Sequence, residues 1–585
     1  MCGIIGYKGN KEVAPILLEG LRKLEYRGYD SAGIATVGSG IHVQKDVGKL
    51  DDISFELDNL PGKLGIAHTR WATHGKVSKE NAHPHISNNG RIAVVHNGII
   101  ENYQELRNFL ISKSFKFSSE TDTEVIPNLI QLHMENSNFF DACKKTLKQL
   151  DGSYAVAIVN TEDNKIIAAR KESPLVIGIG DDEYFVASDI PAFLEHTKRV
   201  MFLSEKEMAI IDKDVQIFSL DTEKIIDRTI DMVDWNIEQA KKGDFEHFML
   251  KEISEQTETI NGALNQDRKS IFHVAKMIKD SKGVFFVACG SSYHACLAAS
   301  YTFSKTTKRH VNVVLASEFP NFKDFLTNES LVIAVSQSGE TADVLSAVRA
   351  AKERGSKIIS IVNVMGSSLT RESDKALMMQ AGPEISVLST KTYTSQLAIL
   401  TLLAYTLANR YDEGKAKLKD LSRYVFHLTA RSTRNFIRSL AEKLKDVEHI
   451  YTIGRGLQYP TALEAALKIK EVSYIHAEGF AGGELKHGTI ALIEKGTPCI
   501  VFVSKDTEKE ILSNAIELKA RGAYIIGVGP ENNEIFDVFI KVREAEEANS
   551  ICQIIPFQML AYQLAVLRGY DPDRPRNLAK SVTVK

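Results

Sequence analysis

Short apolar runs separated by turns rich in glycine and asparagine fill the first 230 residues. Four of these runs have the alternation that is typical of strands, at residues 34–37, 63–68, 91–96 and 154–159. Two longer segments, 12–24 and 102–112, repeat their apolar residues at helical spacing. This region is therefore predicted to pack sheets between helices, with polar loops at the ends of the strands.

The pattern changes near residue 231, where we place a domain boundary. A polar stretch at 235–244 is predicted to be helical up to Gly243, and residues 251–264 are predicted to form the first helix of the next unit. Beyond it, apolar strands alternate with helices, the strands being 283–288, 330–335 and 358–362. Repeated βα units predict a doubly wound parallel sheet, which binds ligands at the carboxyl ends of its strands.

This alternation recurs once. Residues 450–456 repeat the first strand and turn, and residues 499–504 repeat the second strand. The second half is therefore predicted to be a duplicated α/β domain, and the whole chain to be a multidomain protein of α/β and α+β class. The predicted segments are a first domain at 2–230, a linker at 231–250, two α/β domains at 251–425 and 426–570, and a tail at 571–585.

Composition narrows the classes of function. The net charge is −3 and no long basic run occurs, so nucleic acid is an unexpected partner. No apolar stretch approaches about 18 residues, so no membrane span is expected, and the amino terminus lacks the pattern of a secretory leader. Six scattered cysteines without CxxC spacing favour a reducing cytoplasm over a structural zinc site.

The residue with the strongest candidate chemistry is Cys2. The small neighbour Gly3 makes removal of Met1 easy, which would leave a thiol beside its own α-amine. Because an α-amino group titrates near ~7.7–8.0, a useful fraction is uncharged at neutral pH and can act as a base. Such an amine and thiol form a nucleophile–base pair. A cysteine at this position can also be an accident, so the prediction depends on the polar residues that follow.

Four polar loops accompany Cys2, at residues 26–33, 68–75, 96–102 and 119–124. Each alone can be a surface turn, a helix cap or a solvated face. Together they suit an amino acid amide, since each offers a group that such a ligand needs. Arg70 can clamp an α-carboxylate, Asp122 can hold an α-ammonium, Asn97 and the Gly98 N–H can stabilise an oxyanion, and Trp71 can shield the site.

The motifs Cys2-Gly3-Ile4, Arg70 to Gly75, Asn97-Gly98 and Thr121-Asp122-Thr123 resemble those of the class II, or N-terminal nucleophile, glutamine amidotransferases. The resemblance implies a four-layer αββα domain in which Cys2 attacks glutamine, a glutamyl thioester forms and ammonia leaves. It also implies that glutamine is bound by Arg70, Thr73, His74 and Asp122. His83 and Arg27 are expected to support the site. No metal is expected at His83-Pro84-His85, because no carboxylate or thiolate cluster accompanies it.

In the second half, residues 336–341 (Ser-Gln-Ser-Gly-Glu-Thr) offer hydroxyls and backbone amides at the start of a helix. Such a loop can cradle a phosphate, or can be an ordinary helix cap. The repeat carries Ser504-Lys505-Asp506-Thr507-Glu508 at the equivalent place, where acids repel phosphate, so one phosphate site is predicted. The predicted sugar-phosphate-binding residues are Ser291, Ser292, Ser336, Gln337, Ser338, Thr341, Ser389 and Lys391.

Candidate acid–base groups lie in the repeat. Glu464, Lys468 and Glu471 share a helical face by their spacing, which can also be a solvated salt-bridge ladder. A glycine-rich loop then ends in His487, whose class of side chain titrates near neutral pH. Lys580 is the sixth residue from the end of the sequence, where a lysine is ordinarily exposed.

The second half resembles a tandem pair of SIS (sugar isomerase) domains. Together with the first half, the resemblance implies transfer of nitrogen from L-glutamine to D-fructose 6-phosphate, without metal or other cofactor. Lys580 would form a Schiff base with the open-chain sugar, His487 would assist ring opening, and Glu471 would move a proton between C1 and C2. Glu464 and Lys468 would support that step, Trp71 would gate an ammonia passage, and the protein would be a cytoplasmic homodimer.

Two alternatives stay open at this point. A relative with the same halves could act on another keto-sugar phosphate or run as a deaminase, although a deaminase has no need of Cys2 or Arg70. A sugar-phosphate-sensing regulatory protein can also be built on SIS domains. Such regulators usually carry a helix-turn-helix, whereas this amino-terminal region is neither basic nor helical.

Overall fold

The computed structural model describes residues 2–72, 74–233, 235 and 237–583, apart from the side chains of residues 237 and 238. The chain divides into two compact units. One comprises Met1–Ile237 with Glu340–Ala342 and Ala579–Lys585, and the other comprises Glu238–Gly339 and Asp343–Leu578. The finer segment bounds proposed from the sequence stay a prediction.

The first unit contains two antiparallel sheets. Its strands are β1 (Gly3–Lys8), β2 (Ser31–Val37), β3 (Ile41–Val47), β4 (Leu64–Arg70), β5 (His85–Ile86), β6 (Ile92–Ile100), β7 (Gly152–Asn160), β8 (Ile166–Lys171), β9 (Val176–Ile179), β10 (Tyr184–Ala187), β11 (Arg199–Phe202), β12 (Glu207–Ile211), β13 (Val215–Ser219), β14 (Ile225–Ile226) and β15 (Asp231–Met232). One sheet has the order β15-β11-β9-β10-β1-β4-β2-β3, and the other has the order β14-β13-β12-β8-β7-β6-β5.

The two sheets face each other across an apolar core to which both contribute, with Ile4 and Ile66 from one and Val95 and Ala157 from the other. Four helices complete the unit: α1 (Val13–Leu24), α2 (Tyr103–Ser112), α3 (Val125–Met134) and α4 (Phe139–Gln149). Helix α1 packs on β1 and β4, while α2 to α4 share a second core with β6 and β7. The predicted αββα layering is thereby confirmed.

The four predicted strands and two predicted helices of this unit are all present. The strands are longer than predicted, and this changes the surroundings of two candidate residues. Asn97 and Gly98 lie inside β6 and not in a loop, because β6 stays paired with β7 up to Ile100. Similarly, β4 extends through Arg70 because it pairs with β2 as far as Ser31.

The second unit contains two parallel sheets of five strands. The strands are β16 (Gly283–Ala288), β17 (Asn312–Leu315), β18 (Ser330–Ser336), β19 (Lys357–Val362), β20 (Lys375–Met378), β21 (His449–Gly454), β22 (His476–Ala481), β23 (Pro498–Phe502), β24 (Tyr524–Gly529) and β25 (Val538–Lys541). The orders are β17-β16-β18-β19-β20 and β22-β21-β23-β24-β25. Since the second order repeats the first strand for strand, the predicted duplication is confirmed.

The remaining helices are α5 (Ile237–Ala240), α6 (Phe248–Ser254), α7 (Gln256–Ala263), α8 (Arg268–Asp280), α9 (Gly290–Thr307), α10 (Ala342–Glu353), α11 (Ser368–Glu372), α12 (Lys391–Leu407), α13 (Tyr411–Leu428), α14 (Arg431–Leu444), α15 (Gln458–Ser473), α16 (Glu508–Lys519) and α17 (Asn549–Leu567). The helix predicted at 251–264 is two helices, α6 and α7. Both sheets and helices α9, α12, α15 and α17 contribute to one extended apolar core.

Among the described residues, one helix, Glu546–Leu567, is long and apolar enough to cross a membrane. The expectation that no apolar stretch reaches this length is therefore wrong, although 89% of the apolar window is buried inside the protein. Polar side chains in this helix bind partners in the core, as where Gln553 donates to the carbonyl of Val503 at 2.8 Å. These features are typical of a core helix, and they make the helix weak evidence for a membrane span.

Candidate functional site

Cys2 lies directly before β1, an interior strand of the first sheet. The amide of Trp71 donates to its sulfur at 3.2 Å, and the Cys2 carbonyl accepts from Asn97 Nδ2 at 2.8 Å and from Arg27 Nε at 3.3 Å. Residues from three of the predicted loop regions thus meet at Cys2. Gly3 leaves room for this arrangement, because a Cβ there would lie 2.5 Å from Thr69 Oγ1.

The orientation of Asn97 is fixed by His68, which sequence reasoning missed. His68 Nε2 lies 3.0 Å from Asn97 Oδ1 and 3.1 Å from the carbonyl of His96. Both partners are acceptors, so Nε2 carries the proton and the Asn97 amide must direct its Nδ2 donor to Cys2. Burial, which outweighs the bond to Asn97, lowers the pKa of His68 to about 3 and keeps the ring neutral.

His83 packs against His68, and His85 packs against His83, as neutral rings. The ring of His83 stacks on His68 at 4.2 Å between centroids, and its Nδ1 accepts from the amide of His96 at 3.3 Å. Burial lowers the pKa of both His83 and His85 well below the usual range. Among the described residues, no group of three or more His, Cys, Asp or Glu side chains is arranged to hold a metal ion. The contacts of His83 with His68 and His96 place it next to the residues that orient Asn97.

The two predicted charged contacts for glutamine are both buried. The guanidinium of Arg70 donates to the carbonyls of His74 and, at 3.4 Å, of Gly75. Burial lowers the pKa of Arg70, but the nearby charges of Asp30 and Asp122 oppose this effect. Asp122 accepts from the amide of Ile100 at 2.7 Å through one carboxylate oxygen. The pair can thus present a positive and a negative group to an amino acid.

The other predicted residues of this site are Trp71, His74, Gly98 and Thr73. Trp71 packs edge-on against Tyr29 at 5.4 Å between centroids, and His74 packs edge-on against Tyr103 at 5.1 Å. Gly98 has φ +133, and a Cβ there would lie 2.1 Å from the Ser153 carbonyl, so only glycine fits. Thr73 lies outside the described residues.

Arg27 is anchored by a residue far along the chain. Its guanidinium donates to Asp189 at 2.8 Å, and the hydroxyl of Tyr26 donates to the same carboxylate at 2.6 Å. Because the Arg27 side chain is only 5% exposed, this ion pair is well shielded from water. It holds the Arg27 Nε donor against the Cys2 carbonyl.

In the second unit, residues 336–339 of the candidate phosphate loop lie at the end of β18, at the point where the strand order of the sheet reverses. Gly339 in this loop has φ +65, and a Cβ there would lie 2.1 Å from Ser367 Oγ. The amide of Gly339 donates to Ser336 Oγ at 3.1 Å, and the carbonyl of Gln337 accepts from the amide of Asn363 at 3.0 Å. These two bonds hold the backbone of the loop at Gly339 and Gln337.

The loop that carries Ser291 and Ser292 follows the neighbouring strand β16 and begins α9. In a doubly wound sheet of this order, the crevice between these two strands is where ligands bind. Ser291 Oγ accepts from Lys468 Nζ at 3.0 Å. A residue of the first repeat thus contacts the acid–base helix α15 of the second repeat.

The Glu464, Lys468 and Glu471 face of α15 is buried and not a solvated ladder. The Lys468 ammonium lies 3.4 Å from Glu464 and 2.7 Å from Glu471. Burial works to lower the pKa of Lys468, but the two carboxylates outweigh it and raise the pKa. Burial raises the pKa of Glu471, and Lys468 offsets only part of this effect. A carboxyl group with a raised pKa suits proton transfer near neutral pH.

Lys391, a predicted sugar-phosphate-binding residue, is buried and has an ion-pair partner. Its side chain is 1% exposed, and its ammonium pairs with Glu255 of α7 at 2.8 Å. The role of Lys391 in binding the sugar phosphate stays a prediction. The hydroxyl of Ser389 bonds that of Thr392 at 2.8 Å, at the start of α12.

The two remaining candidates for the sugar chemistry, His487 and Lys580, belong to different units. His487 is exposed at the end of a 3-10 turn, Gly482–His487. Lys580 belongs to the first unit, in which the carbonyl of Val582 accepts from the amide of Ala342 at 3.0 Å. This bond holds Val582 of the tail beside Ala342, the residue that follows Thr341.

Comparison with protein families matches both halves of the chain. A model described as glutamine amidotransferase domain matches residues 68–195. A model described as SIS domain matches twice, at residues 277–406 and 443–568. The two SIS matches coincide with the duplicated parallel sheets.

Full-length relatives are also similar. The chain is 46% identical over 602 residues to a glutamine–fructose-6-phosphate aminotransferase (isomerizing) of Thermococcus kodakarensis, and 47% identical over 598 residues to one of Pyrococcus horikoshii. Both alignments cover 100% of this chain and 100% of the relative. A solved C-terminal domain of glucosamine-fructose-6-phosphate aminotransferase from Francisella tularensis is 36% identical, with TM-score 0.52, and covers 57% of this chain and 100% of that domain.

Proposed function

Because the chain belongs to the family of isomerizing glutamine–fructose-6-phosphate aminotransferases, we propose that it converts L-glutamine and D-fructose 6-phosphate to L-glutamate and D-glucosamine 6-phosphate. The observation that carries the proposal is the full-length similarity to relatives of that name. The geometry agrees with it, since one chain holds a Cys2-centred network, a candidate phosphate loop, and a cluster of acid–base groups that contacts Ser291 of the neighbouring loop. This reaction would begin the synthesis of amino sugars.

The first unit would release the nitrogen. After removal of Met1, the α-amine of Cys2 takes the thiol proton and the sulfur attacks the amide carbon of glutamine. Asn97 Nδ2 and the Gly98 N–H donate to the developing oxyanion. The amine then returns the proton to the leaving nitrogen, ammonia departs, and water hydrolyses the glutamyl thioester. Glutamine would be oriented by Arg70, Thr73, His74 and Asp122.

The second half would accept the nitrogen. Ser336, Gln337, Ser338 and Thr341 would hold the phosphate, with Ser291, Ser292 and Ser389 near the sugar. His487 would assist ring opening, and the Lys580 amine would add to the keto carbon with loss of water to form an imine. Ammonia would displace Lys580 from that carbon, and Glu471 would move a proton from C1 to C2. Glu464 and Lys468 would keep Glu471 in place.

The proposed function also bears on the oligomeric state of the protein. We propose a cytoplasmic homodimer, because His487 is exposed in the single chain and a second copy could complete the sugar site. The proposed segments are 2–230, 231–250, 251–425, 426–570 and 571–585. We also propose that ammonia is passed on without release to solvent, with Trp71 as a gate. No metal or organic cofactor is required, because the imine that ammonia forms at C2 supplies the electron sink.

The direct test is incubation with glutamine and fructose 6-phosphate, with assays for amino sugar and glutamate. Cys2→Ala should abolish amino sugar formation from glutamine and retain isomerisation of the sugar phosphate. Lys580→Ala should do the reverse and retain glutamine hydrolysis. Loss of both activities in either variant, with the fold intact by circular dichroism, would contradict this division of roles. Binding of both substrates without turnover would instead favour the sensing protein.

A further inference from the structure

We propose that His294 is a positioning residue for the sugar chemistry, which holds Glu464 so that Lys468 and Glu471 keep their geometry. This inference rests on the proposed function. His294 lies on α9 of the first repeat, whereas the three charged residues lie on α15 of the second. Sequence patterns gave no sign of this contact, since 170 positions separate His294 from Glu464.

The contact is short and shielded. His294 Nδ1 lies 2.8 Å from Glu464 Oε2, and the side chains are 16% and 0% exposed. A carboxylate oxygen accepts, so Nδ1 carries the proton and donates it. A carboxylate with no access to water needs such donors, because each charge taken from water costs several kcal/mol. His294 donates to one oxygen of the Glu464 carboxylate, and the Lys468 ammonium lies 3.4 Å from the other oxygen.

Lys468 has little freedom in this arrangement. An ammonium group has three protons, and three acceptors surround this one: Glu464 at 3.4 Å, Glu471 at 2.7 Å and Ser291 Oγ at 3.0 Å. If Glu464 lost its bond to His294, its uncompensated charge would draw the ammonium away from Glu471. The proton affinity and orientation of Glu471 would then change, although His294 itself does not contact Glu471.

The contacts also set the register of two helices. Ser291 and His294 are three residues apart on α9, so they share a face, and their partners Lys468 and Glu464 are four residues apart on α15. Two adjacent bonds therefore fix the helix that follows the sugar-contacting loop against the helix that carries the proton-transfer group. A small displacement between the two would separate Glu471 from the carbon whose proton it moves.

The test measures proton transfer directly, as solvent deuterium incorporated into fructose 6-phosphate and its isomerisation product in heavy water without glutamine. His294→Ala removes the donor, whereas His294→Asn keeps an N–H close to the position of Nδ1. We expect His294→Ala to lower kcat at least 10-fold with KM within twofold, and His294→Asn to recover kcat to within threefold of the parent. Glutamine hydrolysis should be unchanged in both variants.

Controls separate this inference from other outcomes. His310→Ala changes an exposed histidine in the same unit and should leave kcat unchanged. If His294→Ala does not fold, His294→Leu replaces it, since leucine fills the space without donating. The role of His294 would be overturned if the variant without the donor, His294→Ala or His294→Leu, kept the kcat of the parent protein. It would also be overturned if His294→Ala and His294→Asn lost kcat equally. A parent protein that exchanges no deuterium would instead contradict the proposed function.

Discussion

Four histidines of the first unit, His68, His83, His85 and His96, are buried in one cluster close to Asn97. Burial is the largest effect on each, and it lowers all four pKa values. Neutral rings can stack and exchange single hydrogen bonds without a counter-charge, which suits a support for Cys2. The cost of this arrangement is sensitivity to acid.

We therefore expect the first unit to lose stability as the pH falls. Below about pH 6.5 the unfolded chain takes up protons at these histidines, whereas the folded state does so only at much lower pH. The unfolded state then binds more protons than the folded state. The free energy of unfolding therefore decreases as the pH decreases, by up to about 1.4 kcal/mol per pH unit for each histidine. For His68 this loss continues down to about pH 3.

Urea unfolding at several pH values measures this slope. Both tryptophans, Trp71 and Trp235, belong to the first unit, so tryptophan fluorescence reports its transition. His85→Gln should reduce the slope by about one proton, because glutamine can keep the bond to Thr121 without titrating. His310→Gln, at an exposed histidine, should leave it unchanged. A slope unaffected by His85→Gln would show that this ring is protonated in the folded state.

Gly339 in the phosphate loop offers a second test at this scale. Gly339→Ala would place a residue with a side chain in the left-handed conformation, which costs about 1–2 kcal/mol. It would also place the new Cβ 2.1 Å from Ser367 Oγ. We expect KM for fructose 6-phosphate to rise at least tenfold, with glutamine hydrolysis unchanged. Gly355→Ala is the matched control, since its φ is +76 but the nearest atom to a Cβ lies at 3.5 Å. If KM rose equally in the Gly339→Ala and Gly355→Ala variants, the cause would be the strained φ and not a change in the phosphate loop.

Single residues also show where sequence reasoning stops. Cys2, Asn97 and Arg70 could be chosen because their chemistry suits glutamine and their motifs are local. His68, His294 and Glu255 could not, because each acts on a partner far away in sequence, and no periodicity encodes that pairing. The ion pair of Lys391 could not be foreseen for the same reason, since its partner Glu255 lies on a different helix.

At the scale of elements, helix α6 is capped by a residue from the other end of its unit. Both carboxylate oxygens of Asp573 accept backbone donors, from Phe248 at 2.8 Å and Met249 at 2.7 Å. The carbonyl of Asp573 also accepts from the amide of Val387, in the loop before Ser389. The segment before the tail thus holds the start of α6 and the approach to a candidate sugar-binding loop.

Asp573→Ala should therefore weaken α6 by about 1 kcal/mol, the usual value of an N-cap. Hydrogen exchange followed by mass spectrometry should show faster exchange in peptides that cover residues 248–254. Asp267→Ala is the comparison, because Asp267 caps α8 from within its own sequence by accepting from Ser270 at 2.9 Å. Its effect should be confined to α8. Unchanged exchange in α6 of the Asp573 variant would contradict the role of this cap.

Element positions followed well from the sequence where the pattern was strong. The strand predicted at 283–288 is β16 to the residue, because a continuous apolar run between turns marks a buried parallel strand. The ends of β4 and β6 were predicted too early, since pairing with neighbouring strands continues through polar residues. The break between α6 and α7 has no glycine or proline, so no local signal marks it.

At the scale of the whole molecule, the proposed reaction needs ammonia to reach the sugar before water protonates or dilutes it. We expect the rate of amino sugar formation from glutamine to be unchanged when an added enzyme consumes free ammonia. Trp71→Ala should make that rate sensitive to the scavenger, because the proposed gate is lost. Strong loss of rate in the parent protein under scavenging would contradict internal transfer, and the reaction fed with external ammonia controls for the strength of the scavenger.

The tandem repeat has an evolutionary consequence. Two identical subunits acquire every substitution twice, so a cradle for an anion and a cluster of carboxylates cannot diverge at equivalent places. Joining two copies in one polypeptide removes that constraint: Asp506 and Glu508 stand where the first copy has its serine-rich turn. Under the proposed function, the second copy can therefore carry the proton-transfer groups while the first copy keeps the phosphate loop.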